Sequence, residues 1–190
     1  MTEPRKIHQF GWIPDQPDER DHLYAAPTQF LMAMPASVDL RKKCPPVYNQ
    51  GALGSCTANA IAGAIEFDQM KQKLSVFVPS RLFIYYNERV IEHTVKSDSG
   101  AQIRDGIKTV ASVGACPEPE WPYNIAKFAN KPPQRAYNDA KLDRPTGASQ
   151  WTVLNENPPV LMVMNGAPGE TTRRSPPVWK PLVVPVSIMR

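Results

Sequence analysis

The chain has 190 residues, a net charge of +4 and 21 prolines against 10 glycines. Because proline is about twice as frequent as its usual share of roughly 5%, long unbroken helices or strands are not expected throughout. The basic residues are scattered rather than clustered, which argues against a nucleic-acid partner. No run approaches the ~18 apolar residues of a membrane span, and the first ten residues lack a signal-like apolar core, so we expect a cytoplasmic protein with no membrane association.

The three cysteines, Cys44, Cys56 and Cys116, are far apart in the sequence. They form no CxxC pair, and no histidine has the spacing of a zinc ligand, so no metal or other cofactor is expected. An odd number of cysteines without an export signal favours free thiols over a disulfide framework. We interpret Cys44 and Cys116 as structural thiols.

Composition divides the chain into three regions. Residues 1–34 are predicted to form an irregular leader, because prolines and aspartates follow one another closely in GWIPDQPDERDH. This leader is either a surface arm or a prosegment that lies in a cleft. Residues 35–144 have the pattern of a folded lobe. Residues 145–190 are an atypical proline-rich tail, whose apolar runs are expected to form edge strands at most and to be loosely packed.

Three helices are predicted in the central region. The first runs from Cys56 to about Lys73 after Ser55 as N-cap. Its apolar spacing is helical and places four residues on one face: Ala58, Ile61, Ala62 and Ile65. The second begins after Pro79 with Ser80 as cap, and its expected face consists of Leu82, Tyr85, Tyr86 and Val90.

The third helix is predicted over about Ile103 to Val113 and should end at Gly114. Its expected buried residues are Ile103, Ile107 and Val110. The segment from Ala115 to about Pro133 contains CPEPEWPY and NKPP, which predict a series of turns.

The stretch NQGALGSCT, residues 49–57, carries the most chemical information. It places Cys56 in the first turn of a buried helix, where unpaired N–H groups favour a thiolate. From the helix terminus alone we expect alkylation of this thiol with a midpoint of about pH 7–8.5. The amide of Gln50 and the backbone N–H of Cys56 could donate to the oxyanion that forms when a thiolate attacks a carbonyl. Gly51 and Gly54 allow close approach of a substrate backbone.

These residues resemble the papain-like cysteine peptidases. The segment PASVDLRKKCPPVYNQGALGSCTANA is similar to that family's opening, in which a V-D-x-R segment precedes a Pro-V-x-N-Q-G loop and a G-S-C helix start. The resemblance implies that Cys56 is the nucleophile and Gln50 the oxyanion-hole glutamine. It covers residues 10 to 142, and the leader is similar to that of bacterial members in particular.

Two further segments extend the resemblance. Residues 98–101, Asp-Ser-Gly-Ala, are similar to the family's glycine loop, and residues 121–123, Trp-Pro-Tyr, to its aromatic-Pro-Tyr element. The implied substrate-binding residues are Gly54, Ser55 and Gly100. The implied fold is α+β and papain-like, with residues 35–144 as the helical left lobe and an incomplete or missing β-barrel right lobe.

The expected histidine base poses a difficulty. In this family the His and Asn lie roughly 130–150 residues after the nucleophile, whereas the chain reads VSIMR at 186–190. The histidines present are His8 and His22 in the leader and His93 at the end of the second predicted helix. A leader lying across the cleft could bring His22 near Cys56.

We therefore expect a cysteine-type peptidase that is catalytically incomplete as this chain. It would act on a peptide or protein only if the leader, the tail or a complementing chain supplied the base. The alternative is a non-catalytic, degenerate half-protease that binds a peptide or protein partner through its exposed lobe face.

Overall fold

The structure is a computed structural model that describes residues 10–18, 37, 39–141, 150–153 and 162–165, the last two ranges by their backbone. Within these ranges the chain is mainly helical, and its strands form two two-stranded sheets without a closed barrel. The predicted α+β class is confirmed. The expectations for residues 1–9 and 19–36, which include most of the leader, and for residues 142–149, 154–161 and 166–190, lie outside the described residues.

Helix α1 comprises Cys56–Gln72 and begins at the predicted residue. The four apolar residues expected on one face are all buried. The residue that caps its C-terminus is Lys73, whose φ of 57° is left-handed and whose N–H donates to the last-turn carbonyls of Gln69 and Met70. Ser55 occupies the N-cap position, but its side chain makes no capping hydrogen bond, so the predicted capping role is wrong.

Helix α2 comprises Arg81–Ile91, and its N-cap is the predicted Ser80, whose hydroxyl accepts the N–H of Phe83 at 3.2 Å. The predicted face is only partly correct, because Val90 is 44% exposed. The buried set extends around most of the helix and includes charged residues: Leu82, Phe83, Ile84, Tyr85, Asn87, Glu88 and Arg89. This helix therefore packs on more than one side.

Helix α3 comprises Ile103–Val113 and ends at Gly114, as predicted, with a glycine φ of 93°. The three apolar residues expected inside are buried. Gly106 lies where α3 crosses close to both other helices. A Cβ at this position would be 2.3 Å from the Glu88 Oε1 atom and from the Ile61 Cδ1 atom. The glycine therefore permits the close packing of α1, α2 and α3.

The core has two parts, with α2 contributing to both. The larger part joins α1, α2 and α3 and includes Ile61, Leu82 and Ile107. The smaller part surrounds Phe83 on another side of α2. It is closed by helix α4, Gln134–Ala140, where the Tyr137 ring lies 5.0 Å from the Phe83 ring.

Helix α4 was not predicted. It has only seven residues and follows the turn signal NKPP, with Pro133 at the N-cap. Its burial is confined to Ala136 and Ala140. A segment this short has no periodicity that could be recognised, so its helical form depends on packing against α2.

The strands are short. Strand β1, Trp12–Ile13, pairs in parallel with β2, Ala101–Gln102, so a piece of the leader lies against the start of α3. Strands β3, Gln150–Val153, and β4, Met162–Asn165, form an antiparallel hairpin-like pair. They coincide with the WTVL and VLMVM runs for which strands were expected.

Candidate active site

Cys56 is the first residue of α1, and its thiol is free and partly exposed. The preceding Ser55 is fully buried. Its hydroxyl lies 2.5 Å from the Tyr123 hydroxyl, and Asn59 Nδ2 donates to the Ser55 carbonyl and hydroxyl at 2.8 and 3.0 Å. The Ser55 side chain thus holds the helix start in place, and its predicted role in substrate binding stays a prediction.

The thiol of Cys56 does not have the lowered pKa that its helix position suggested. Burial raises the pKa, and nearby Glu88 acts in the same direction. Backbone hydrogen bonds from Gly11 and Thr57 favour the thiolate but do not outweigh burial. The expectation based on the helix terminus alone is wrong for this conformation, since it left out the desolvation of the thiol.

Gln50 lies in the loop that leads to Cys56. Its side-chain Nε2 donates to the Leu53 carbonyl at 3.0 Å. The backbone carbonyl of Gln50 accepts the Tyr123 hydroxyl at 2.9 Å. An amide nitrogen has two N–H groups, so a second donor remains for an oxyanion. Gly51 has a φ of 62°, which explains the glycine in this turn. The oxyanion role of Gln50 stays a prediction.

The predicted glycine loop is tied directly to the nucleophile loop. The N–H of Gly54 points at both carboxylate oxygens of Asp98, each at 3.0 Å. Asp98 also accepts the Tyr85 hydroxyl at 2.5 Å, and that hydroxyl in turn accepts the N–H of Gly100 at 3.2 Å. Gly54 and Gly100, both predicted substrate-binding residues, pack closely against the backbone of Gly11, and we call the space that they leave for this backbone the groove.

That groove holds part of the leader. The Ala101 N–H donates to the Gly11 carbonyl at 2.7 Å, next to the β1–β2 pairing. A Cβ on Gly11 would lie 1.6 Å from the Gly54 carbonyl oxygen, and a Cβ on Gly100 would lie 2.0 Å from the Gly11 oxygen. Only a glycine backbone fits at position 11, and this backbone contacts Cys56.

Behind the nucleophile loop lies Arg81, which sequence reasoning missed. Its guanidinium stacks between the rings of Tyr48 and Tyr123, at 4.7 and 4.1 Å from their centroids. It pairs with Glu118 at 3.2 Å and makes a longer contact with the Asn49 carbonyl at 3.4 Å. Tyr123, found in the predicted Trp-Pro-Tyr element, thus connects Arg81 to the loop of Gln50.

Behind the glycine loop lies Arg89, which was also missed. It is fully buried and stacks on the Tyr85 ring at 3.9 Å. Its guanidinium donates to the carbonyls of Val95 at 2.8 Å, Ser97 at 3.1 Å and Phe128 at 2.5 Å. The available signal was the Glu-Arg pair inside the apolar pattern of α2, since charged residues are rarely buried without partners.

Of the three histidines, only His93 lies within the described residues. It is exposed, follows the end of α2 and has a left-handed φ of 59°. The described part of the chain contains no group of three side chains suited to bind a metal ion. Nor does any helix in that part combine the length and apolar character needed to cross a bilayer.

Comparison with known proteins identifies relatives of one kind. No protein-family model matches the chain. A peptidase C1-like protein of Acanthamoeba polyphaga mimivirus is 45% identical over 150 residues, which is 70% of this chain and 48% of that protein. The chain therefore spans about half the length of the curated relative it matches.

Two solved structures are also similar. Xylellain, a cysteine protease from Xylella fastidiosa, matches with 43% identity and a TM-score of 0.69 over 80% of this chain and 61% of its own. A structure from work on the mite allergens Blo t 1 and Der p 1 matches at 24% identity and a TM-score of 0.41, over 48% of this chain and 31% of its own. The xylellain match, the helical lobe and the Cys56 loop agree, and the chain belongs to the papain-like cysteine peptidases.

Proposed function

We propose that the chain is the nucleophile-bearing part of a cysteine peptidase. The Cys56 thiolate would attack a peptide carbonyl to form a thioester, while Gln50 and the Cys56 N–H would stabilise the oxyanion. The observation that carries this proposal is the groove beside Cys56, in which an extended segment pairs with residues next to Gly100. The similarity to xylellain, a cysteine protease, supports the same reaction.

A general base is still required. Burial raises the pKa of Cys56, so the thiol depends more strongly on a base than a solvated thiol does. Within the described residues the only histidine, His93, is exposed. We therefore propose that the base comes from the leader, the tail or a complementing chain, and that this chain is catalytically incomplete without it.

The leader is proposed to act as a prosegment. Trp12 and Ile13 run parallel to β2 and the backbone of Gly11 contacts the nucleophile, so a substrate strand cannot occupy the same place. Gly11→Ala should displace the segment, because its Cβ would overlap the Gly54 carbonyl. Gly63→Ala is a matched control, since the nearest atom to its added Cβ is 3.9 Å away. We expect faster alkylation of Cys56 in Gly11→Ala only. Equal rates in both variants would contradict the prosegment role.

The peptidase proposal is tested by covalent labelling with a peptidyl chloromethyl ketone, located by mass spectrometry. We expect Cys56 to be labelled ahead of Cys44 and Cys116. Burial raises the pKa of Cys116 to about 12, which makes it a stringent internal reference. Cleavage of peptide substrates should not exceed that of Cys56→Ala. Cys56-dependent turnover would show that a base has been recruited, and His22→Ala and His93→Ala would then identify it.

The alternative is a non-catalytic protein that binds a peptide or protein through the same lobe. One observation favours it: His93, the only histidine among the described residues, is exposed. Labelling at Cys56 no faster than at Cys44, together with tight binding of an unreactive peptide, would support this alternative.

A further inference from the structure

One buried carboxyl next to the nucleophile has no part in the chemistry proposed above. Glu88, in the last turns of α2, is completely inaccessible to solvent. Its Oε2 accepts the hydroxyl of Thr57 at 2.8 Å, and Thr57 is the residue that follows Cys56. Its Oε1 is buried without a hydrogen-bond partner among the described residues and faces the backbone of Gly106.

We propose that Glu88 is a positioning residue for Cys56, which acts through Thr57 and does so in its uncharged form. The hydrogen bond from Thr57 fixes the first turn of α1, and the backbone of Thr57 also contacts the Cys56 thiol. Glu88 is therefore one hydrogen bond away from a residue that helps to hold the nucleophile. The inference rests on the proposed function in that Cys56 is taken as the nucleophile.

The surroundings of Glu88 disfavour a charge. Its sequence neighbour Arg89 directs its guanidinium to backbone carbonyls instead. Besides burial, two acids raise the pKa of Glu88, Glu92 just after α2 and Asp105 of α3, whereas the hydrogen bond from Thr57 and the charge of Arg89 lower it. Helix α3 carries two cations, of which Lys108 is paired with Asp105 at 2.9 Å and Arg104 with Asp18 at 3.5 Å. From α1 the titrating neighbour is Cys56 itself, and the leader contributes an acid, Asp15, near Glu92.

These effects act together with complete burial, which raises the pKa of Glu88 to about 8. The carboxyl is therefore largely protonated at neutral pH and ionises at a lower pH than the Cys56 thiol, whose pKa burial raises above its ordinary value. A charge on Glu88 raises the pKa of Cys56. The two groups oppose each other's ionisation, so that Cys56 becomes less reactive at alkaline pH than an isolated thiol would be.

The test is the pH profile of Cys56 alkylation by iodoacetamide in the full chain, in which the thiolate forms an S–C bond and iodide leaves. Glu88→Gln keeps an acceptor for Thr57 and removes the charge. We expect its rate to equal that of the unmodified protein near pH 6.5 and to exceed it by about threefold near pH 9, equivalent to half a pKa unit. Superimposable profiles would overturn the proposal.

A second pair of variants applies if Glu88→Gln does not fold. Thr57→Val removes the hydroxyl and should change the alkylation rate at pH 7, whereas Thr57→Ser should restore it. An unchanged rate in Thr57→Val would exclude action through Thr57. Glu120→Gln is the control, because its carboxylate pairs with Arg135 at 2.7 Å and not with Thr57. Its profile should shift far less than that of Glu88→Gln.

This test is distinct from that of the peptidase proposal. Peptide-directed labelling that does not favour Cys56 would remove the proposed function, while the iodoacetamide profile would still report on Glu88. Normal peptide-directed labelling with an unchanged Glu88→Gln profile would remove only the role of Glu88.

Discussion

The two ends of α2 each carry an arginine that supports one side of the groove, but they do so in different environments. Arg81, in the first turn, supports the loop of the nucleophile and is charge-paired with Glu118. Arg89, near the last turn, supports the glycine loop and is completely buried, with backbone carbonyls as its hydrogen-bond partners. The charge of Arg81 is balanced by a carboxylate, whereas that of Arg89 is balanced by the dipoles of backbone carbonyls.

This difference indicates which end tolerates change. Arg81 is held by two aromatic rings, an ion pair and a carbonyl contact, so the loss of one contact leaves the others in place. Its side chain also remains 12% exposed to water. Around Arg89 the carbonyls are oriented toward one guanidinium and cannot be reached by another donor without rearrangement. A buried polar group that loses its partner carries the full cost of desolvation.

The largest effect is therefore expected for Arg89→Met. The loss of Arg89 leaves the carbonyls of Val95, Ser97 and Phe128 unpaired, so the free energy of unfolding should fall by about 3 kcal/mol or more. Urea denaturation followed by tryptophan fluorescence measures this change. The control is Arg135→Met, an arginine whose side chain is 76% exposed and whose ion pair with Glu120 should contribute about 0–1 kcal/mol. Similar losses in the two variants would refute the comparison.

An intermediate effect is expected for Arg81→Met. Two cation–π contacts and one partly shielded ion pair are lost, so stability should fall by about 1–2 kcal/mol. Arg81→Lys should recover little of this, because an ammonium cannot stack as a planar guanidinium does. The same urea titration applies. A loss as large as that of Arg89→Met would show that the ends of α2 are equally intolerant.

The smallest effect is expected for Tyr123→Phe, which removes the hydroxyl contacts with Gln50 and Ser55. Stability should fall by about 1 kcal/mol, and amide exchange in the loop of residues 50–55 should become faster. Tyr86→Phe is the control, because the Tyr86 hydroxyl has no hydrogen bond among the described residues. Unchanged exchange in Tyr123→Phe would mean that Arg81 alone orders the loop.

Much of the fold followed from local patterns. The starts of α1, α2 and α3 and the end of α3 agree with spacing, caps and glycine positions, because these signals act within one or two turns, whereas α2 ends at Ile91, two residues before the predicted His93. Helix α4 escaped prediction since seven residues with two buried alanines have no readable period. The burial of α2 was underestimated for a similar reason, because a helix packed on several sides shows no single apolar stripe.

The sequence by itself determined that Cys56 begins a buried helix, that Gln50 precedes it in a glycine-bearing loop, and that the chain resembles the papain-like peptidases. Only the tertiary structure decided what surrounds that cysteine. Burial and Glu88 raise its pKa, although a helix terminus taken alone would lower it. The neighbours responsible, Gly11 and Glu88, lie 45 and 32 residues away in the chain. Desolvation and charge depend on distances in space, and no local pattern records them.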